Sequence, residues 1–227
     1  MDDAGMQNAT PPTPPASPAS PLQTEHSGWA LWFTGLPGSG KSTIARDAFK
    51  ALQAQGRDVL MLVMDERRKE YFPKPAYTAE EREEAYTRIA QEAADLVARG
   101  HGVIIDATAH QLKWRLAARG VIPHLAEVLV RCPLAEAMRR EAVRSLQATH
   151  HGPYARPHGY VMPGLYAKAL QRKHSGIPVP GLGQVVGVDV EYEENPDAEC
   201  VLDAMRPVPE NTAAVLEFVR GWARDGQ

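Results

Sequence analysis

Residues 35–42 constrain this chain most strongly, because they match a motif whose glycine backbone can wrap phosphates when it lies between a strand and a helix. They read Gly-Leu-Pro-Gly-Ser-Gly-Lys-Ser, which fits the P-loop pattern of Gly, four residues, Gly, Lys and Ser or Thr. The apolar run 29–34 predicts a buried strand before the motif, and apolar residues at helical spacing predict a helix over about 42–55 after it. This order of strand, loop and helix predicts a site for the phosphates of a nucleoside triphosphate.

The motif also predicts the ligands. Lys41 would reach the β- and γ-phosphates and act as a catalytic cation, and the Ser42 hydroxyl would bind Mg²⁺. ATP and Mg²⁺ are therefore the predicted cofactors. The alternative is a glycine-rich turn without a ligand. The predicted cofactor-binding residues of the motif are Gly35, Gly38, Ser39, Gly40, Lys41, Ser42 and Thr43.

Two aspartates stand at the ends of predicted strands, where acidic groups of such sites are found. Asp65 is predicted to be catalytic and to help hold Mg²⁺. Its alternative role is to cap a loop or to pair with Arg67 or Arg68. Asp106 closes the segment Gly-Val-Ile-Ile-Asp, which could equally be a Walker-B-like strand or a structural strand end.

Clustered arginines could supply the positive charge that phosphoryl transfer requires. Arg139, Arg140 and Arg144 precede a long loop, and Arg139 is predicted to contact the nucleotide from a lid, the alternative being a solvated helix face. The basic run 67–69 could hold an anionic acceptor. The loop histidines show no metal-ligand spacing and are predicted to be solvated.

Strands alternate with helices along the chain, which predicts an α/β fold with a parallel sheet flanked by helices, that of P-loop hydrolases and kinases. Further predicted strands are residues 59–64, 103–106, 127–132 and a short extended piece at 185–190. Further predicted helices are 78–99, which opens with a Thr78–Glu81 capping box, and 111–119, 133–146 and 211–224. The predicted loops are a charged one at 66–75 and two long lid loops at 150–163 and 174–184.

The chain is predicted to hold one folded domain, residues 28–227, behind a disordered tail. Residues 1–27 are rich in Pro, Ala, Ser and Thr, and the tail is either passive or a docking segment. A net charge of −3 speaks against nucleic-acid binding, and no apolar run is long enough to span a membrane. The expected location is the cytoplasm. Cys132 and Cys200 are predicted to be buried apolar residues rather than disulfide or zinc partners.

Several segments together resemble the adenylyl-sulfate kinase family, whose members transfer the γ-phosphoryl group of ATP to the 3′-hydroxyl of adenylyl sulfate. The resemblance covers about residues 29–202. It is carried by Trp-Phe-Thr-Gly-Leu-Pro-Gly-Ser-Gly-Lys-Ser-Thr-Ile-Ala at 32–45, Gly-Leu-Tyr-Ala-Lys-Ala at 164–169, and a Gly-Val-Asp, Tyr-Glu and Glu-Asn-Pro-Asp run at 187–197.

The resemblance implies roles for residues on the acceptor side. The family's Asp-Gly-Asp-Asn-Val-Arg falls on residues 63–68, which keeps Asp65 as the catalytic acid and Arg68 as an acceptor contact. Tyr77, or else Phe72, would stack on the acceptor adenine. Further along, Arg82 would also contact the acceptor, and Lys168 would be a lid lysine near the phosphates.

The chain also departs from the family pattern on this side. Val63 replaces the first aspartate, Ala85 replaces an asparagine, and residues 110–113 read His-Gln-Leu-Lys instead of Ser-Pro-Tyr-Arg. Two insertions, at about 145–163 and 174–184, enlarge the loops that flank the acceptor.

The implied function is sulfate activation by phosphorylation of adenylyl sulfate. The alternatives are a P-loop kinase of another small nucleotide or hydroxylated metabolite, and a nucleotide-binding regulatory module without efficient transfer. The predicted partner is a small-molecule acceptor, not nucleic acid or membrane. The oligomeric state stays open, with a homodimer as one candidate.

Overall fold

A computed structural model of the protein describes residues 28–74, 78–150 and 162–223. The predicted tail, Tyr77 and most of the first predicted lid loop lie outside these residues. The strands are β1 (Trp29–Thr34), β2 (Val59–Val63), β3 (Gly102–Asp106), β4 (Leu125–Arg131) and β5 (Cys200–Asp203). The helices are α1 (Lys41–Ala54), α2 (Met64–Tyr71), α3 (Ala79–Ala98), α4 (Leu112–Val121), α5 (Leu134–His150), α6 (Leu165–Ser175) and α7 (Val208–Trp222).

The five strands form one parallel sheet in the order β2-β3-β1-β4-β5. β1 is central and pairs with β3 on one side and β4 on the other. Because all strands run the same way, their carboxyl ends share one edge of the sheet, where α/β folds bind ligands. The P-loop follows β1 and therefore stands at the middle of that edge.

Both faces of the sheet are covered by helices, which explains why β1 is apolar throughout instead of alternating. Leu31 and Phe33 point to the core shared with α1 and α7, whereas Ala30 and Trp32 point to the core shared with α3 and α4. All six residues of β1 are buried. Cys132 and Cys200 are also buried and free, as predicted.

The charged loop predicted at 66–75 is wrong over residues 66–71, because residues 64–71 form helix α2. Apolar periodicity could not indicate this helix, since only Met64 and Arg68 are buried. Its charges nevertheless suit a helix. Asp65 and Glu66 lie in the first turn and Lys69 in the last, where each sign is favoured by the helix dipole.

Two other predictions also need correction, and the sequence indicated no strand at β5. Residues 185–190 form a turn closed by a single bridge between Val186 and Val190, not an extended piece. Helix α6 includes the first two residues of the predicted loop 174–184. Strand β5 was not predicted, because a four-residue edge strand with alternating buried and exposed positions carries little signal. Thr78 is confirmed as the N-cap of α3, since its hydroxyl accepts from the Glu81 amide at 3.2 Å, while the Glu81 carboxylate pairs with Arg68.

A buried charged cluster joins the run 192–195 to the sheet. Arg115 of α4 is 1% exposed and lies 3.0 Å from a carboxylate oxygen of Glu127, which is 2% exposed. The two atoms, Arg115 Nε and Glu127 Oε1, have no hydrogen-bond partner among the described residues. The contact is therefore an ion pair whose geometry is not that of a hydrogen bond. Arg115 also donates to the carbonyls of Ala109 and Glu193, and Asn195 donates to Glu127 at 2.9 Å. The cluster thereby holds the segment that follows β3.

Replacing Arg115 with Met is expected to lower the free energy of unfolding by about 3–5 kcal/mol, because it leaves Glu127 as a buried carboxylate without its cation. Urea unfolding followed by circular dichroism measures the loss. The matched control is Arg119→Met on the same helix, whose pair with Glu199 is partly exposed, so that a loss of about 1 kcal/mol or less is expected. Equal losses in the two variants would contradict a special role for the buried pair.

Candidate active site

The P-loop takes a backbone path that requires glycine. Gly38 has φ 83°, and a Cβ atom there would lie 2.4 Å from the carbonyl oxygen of Ala137. Gly40 has φ 97° and immediately precedes α1. Its left-handed conformation, which disfavours larger residues, turns the chain so that the helix N-terminus faces the loop. The result is a positive backbone surface at the carboxyl end of β1.

Two side chains from other helices hold the P-loop in place. Arg140 of α5 donates to the carbonyl of Ser39 at 3.3 Å and to that of Ala204 at 2.8 Å. Tyr166 of α6 donates to the carbonyl of Pro37 at 2.8 Å and is buried. The motif 164–169 thus contacts the P-loop directly, through its tyrosine.

Two adjoining cavities open at this edge of the sheet. The larger, of about 230 Å³, is bordered by the P-loop and is called the P-loop cavity. The smaller, of about 150 Å³, extends to the end of β3 and is called the β3 cavity. The residues that line both are Pro37, Lys41, Ser42, Asp65, Arg82, Thr108, Leu165, Gln184 and Val185. The shared lining makes them two halves of one cleft.

Asp65 lies between the two halves, in the first turn of α2. Burial raises the pKa of Asp65 to about 6, an effect that nearby Lys41 opposes and the charge of Asp106 reinforces. A carboxyl group with this pKa is mostly ionised at neutral pH and is more basic than an ordinary aspartate. It can therefore accept a proton or hold a cation.

Two predicted acceptor contacts are buried at the cleft: Arg68 lines the β3 half, and Arg82 lines both halves. Arg68 forms an ion pair with Glu81 at 2.9 Å. Arg82 donates to the carbonyl of Gln184 at 2.7 Å, which ties α3 to the loop before residue 185. The geometry gives this half two fixed guanidinium groups beside a carboxylate.

His110 also lines the β3 cavity, although the sequence indicated no role for it. It is 3% exposed and packs edge-on against Trp114 with ring centroids 4.9 Å apart. Burial, helped by the positive charge of Arg82, lowers the pKa of His110 to about 4, while Glu193 opposes this shift. The imidazole is therefore neutral at physiological pH and can only offer an uncharged polar contact.

The loop 176–185, which contains most of the insertion at about 174–184, contributes residues 181–185 to the P-loop cavity. Arg172 of α6 donates to the carbonyl of Leu182 at 2.7 Å and to the carboxylate of Asp189 at 2.5 Å. Asp189 also accepts from the amide of Val185 at 2.6 Å. The arginine and the aspartate thus hold this part of the loop over the cleft.

Not every predicted residue reaches the cleft. Arg139 is exposed and pairs with Glu136, whereas Arg144 from the same helix lines the P-loop cavity. Gly35, the buried Ser39 and Lys168 of α6 line neither cavity. The stacking prediction is untested for Tyr77, which is outside the described residues.

Phe72, the other residue considered for stacking, packs against the core that α3 and α4 share with the sheet. The guanidinium of Arg88 lies 5.3 Å from its ring centroid. Phe72 does not line either cavity. It therefore has a packing role in this structure.

The donor groups of the cleft fit Mg²⁺. Ser42 and Asp65 supply hard oxygen atoms, and the carboxylate of Asp106 in the β3 cavity has a buried oxygen without a hydrogen-bond partner. The described part of the chain holds no cluster of three or more His, Cys, Asp or Glu side chains suited to a metal. None is needed, because nucleotide-bound Mg²⁺ is held by one or two carboxylates together with phosphate oxygens and water.

Comparison with known sequences finds one family. A sequence model described as Adenylylsulphate kinase matches residues 27–155, more than half of the chain. The probable adenylyl-sulfate kinase of Archaeoglobus fulgidus is 31% identical over 176 residues, which cover 77% of this chain and 95% of that protein. The adenylyl-sulfate kinase of Bacillus licheniformis is 32% identical over 187 residues, with coverage of 80% and 79%.

Comparison with solved structures points to the same family. The Mycobacterium tuberculosis APS kinase CysC, determined in complex with AMPPNP and APS, matches with a TM-score of 0.68 and 26% identity. The match covers 86% of this chain and 99% of that chain. The family match includes the P-loop, Asp65 and Arg82, which border the cleft. On this evidence the chain belongs to the adenylyl-sulfate kinase family.

Proposed function

We propose that the protein transfers the γ-phosphoryl group of ATP to the 3′-hydroxyl of adenylyl sulfate and forms 3′-phosphoadenylyl sulfate. The observation that carries the proposal is the single cleft in which a P-loop cavity and a second cavity share Lys41, Asp65 and Arg82. A direct transfer needs donor and acceptor side by side in one site. Family membership supplies the identity of the two substrates.

The donor half would bind ATP. Backbone N–H groups of the P-loop and the Lys41 ammonium would hold the β- and γ-phosphates. Ser42 and Asp65 would hold Mg²⁺, which when bound neutralises charge on the transferring group. Arg144 is the α5 arginine with access to this half. We therefore assign to Arg144 the lid role that the sequence suggested for Arg139.

The acceptor half would bind adenylyl sulfate. Asp65 would orient the 3′-hydroxyl and take its proton as the oxygen attacks the γ-phosphorus. Arg68 and Arg82 would face the anionic part of the acceptor, and neutral His110 an uncharged polar group. Tyr77 remains the proposed stacking residue. The transfer forms no covalent enzyme intermediate, since the attacking group belongs to the acceptor.

Three broader expectations also remain proposals. We propose residues 28–227 as the kinase domain and residues 1–27 as a tail outside it. Cytoplasmic location and a homodimer are likewise proposed. No helix within the described ranges is both long and apolar enough to cross a membrane.

A coupled ADP-release assay with the full chain, ATP and Mg²⁺ tests the proposal. Saturable ADP release with adenylyl sulfate is expected, with 3′-phosphoadenylyl sulfate as the product identified by chromatography. An analogue that lacks the 3′-hydroxyl serves as the matched control and should give no acceptor-dependent release. Turnover of another nucleotide or alcohol without turnover of adenylyl sulfate would assign a different acceptor. ATP binding without any acceptor-dependent release would favour a regulatory module.

A further inference from the structure

Asp106 is a buried carboxylate that the described contacts leave incomplete. The residue ends β3 and is 4% exposed, and its Oδ1 atom has no hydrogen-bond partner. A carboxylate removed from water is costly unless a cation or hydrogen bonds replace its hydration. An aspartate that only ended a strand would be expected to find its hydrogen bonds or cation within the fold. Asp106 instead lines the β3 cavity together with Lys41, Ser42 and Asp65.

The pairing of β2 with β3 relates Asp106 to a position where the family pattern has a different residue. In the parallel register, Asp106 pairs with Val63, the last residue of β2. Paired positions on neighbouring parallel strands carry their side chains on the same face of the sheet. Residue 63 is also where the family pattern has the first aspartate of Asp-Gly-Asp, and this chain has valine. The carboxylate missing from the end of β2 thus has a counterpart on the adjacent strand.

We infer that Asp106 is the second carboxylate of the magnesium site and acts from β3 in place of an acidic residue at position 63. The inference rests on the proposed function, because it assigns a residue to the metal of that reaction. Ser42, Asp65 and Asp106 then form a set of hard oxygen donors on three elements, α1, α2 and β3. Such a set matches the one or two carboxylates with which proteins hold nucleotide-bound Mg²⁺. It also gives the unpartnered oxygen of Asp106 a cation or a metal-bound water to contact.

Metal binding in the absence of acceptor tests this assignment separately from turnover. The full chain with saturating ADP is titrated with Mn²⁺, and free Mn²⁺ is measured by electron paramagnetic resonance. The nearly isosteric variant Asp106→Asn is expected to bind Mn²⁺ about 10- to 100-fold more weakly. The matched control Asp95→Asn removes an exposed aspartate of α3 and should bind as the wild type does. Circular dichroism confirms the fold, and Asp106→Ser replaces Asp106→Asn if the latter folds poorly.

The register of β2 against β3 provides a second experiment. Adding Val63→Asp to Asp106→Asn places a carboxylate across the strand pair and is expected to restore at least part of the lost Mn²⁺ affinity. Binding by Asp106→Asn within about twofold of wild type would overturn the assignment of Asp106 to the metal. Failure of Val63→Asp to restore any affinity would overturn the equivalence of the two strand ends. Neither result depends on which acceptor the enzyme uses.

Discussion

Replacing Lys41 with alanine is expected to reduce phosphoryl transfer by about 10²- to 10³-fold or more and to weaken ATP binding about 10- to 100-fold. The lysine lines both halves of the cleft and is the P-loop cation. Its ammonium would contact the phosphates in the ground state and would oppose the charge that develops during transfer. A hydrogen bond to a charged group contributes about 1.5–3 kcal/mol, which corresponds to the expected loss of affinity. Isothermal titration with an ATP analogue and the ADP-release assay measure the two effects.

The matched control for Lys41→Ala is Lys50→Ala. Lys50 lies on the same helix but is exposed at its surface. It should retain the wild-type rate and affinity. A Lys41→Ala variant with wild-type ATP affinity would contradict the proposed phosphate contact, even if its rate were low.

Replacing Asp65 with asparagine is expected to lower kcat about 10²- to 10⁴-fold while ATP binding in the absence of metal stays within about threefold. The range is that of a positioned general base. Asparagine has almost the same shape, so it can keep the packing of α2 but can neither accept the hydroxyl proton nor provide a carboxylate for Mg²⁺. The contrast with Lys41→Ala is therefore in binding: one variant loses rate and affinity, the other mainly rate. Steady-state kinetics with varied adenylyl sulfate, together with metal-free titration of the nucleotide, separates the two.

Glu66→Gln controls for the change of charge at the start of α2. Glu66 is the adjacent residue and is exposed. It should support wild-type turnover. If Asp65→Asn keeps the wild-type rate, the catalytic role of Asp65 is wrong and the proton must leave by another route.

Helical periodicity in α5 separates Arg144 from Arg139. Ala137, Arg140, Glu141 and Arg144 follow the i, i+3, i+4, i+7 spacing of one helix face, and that face contacts the P-loop or its cavity. Arg139 lies off this face and is exposed. Helical periodicity could therefore have selected Arg144, because the side of the helix that faces the core also faces the site.

Other features could not have been found in this way. His110 lies in the cleft because of the turn after β3. Two hydrogen bonds hold this turn: Arg115 donates to the carbonyl of Ala109, and the amide of Ala109 donates to the Tyr86 hydroxyl. Its environment comes from α3, α4 and the run 192–195, distant in sequence. The position of loop residues 181–185 over the cleft likewise depends on hydrogen bonds that Arg172 and Asp189 make with the loop. No local sequence pattern predicts these bonds.

By itself the sequence determined the features that depend on short-range order: the P-loop, the strands and helices with clear apolar periodicity, the helix cap at Thr78, and the family. These are local because a glycine conformation, a helix cap or a buried face is specified by a few neighbouring residues. Only the tertiary structure decided which charged groups share one cleft, and it placed Asp106 across from Val63. Strand register joins residues far apart in the chain, and burial decides whether a carboxylate is a solvated surface group or one that needs a cation.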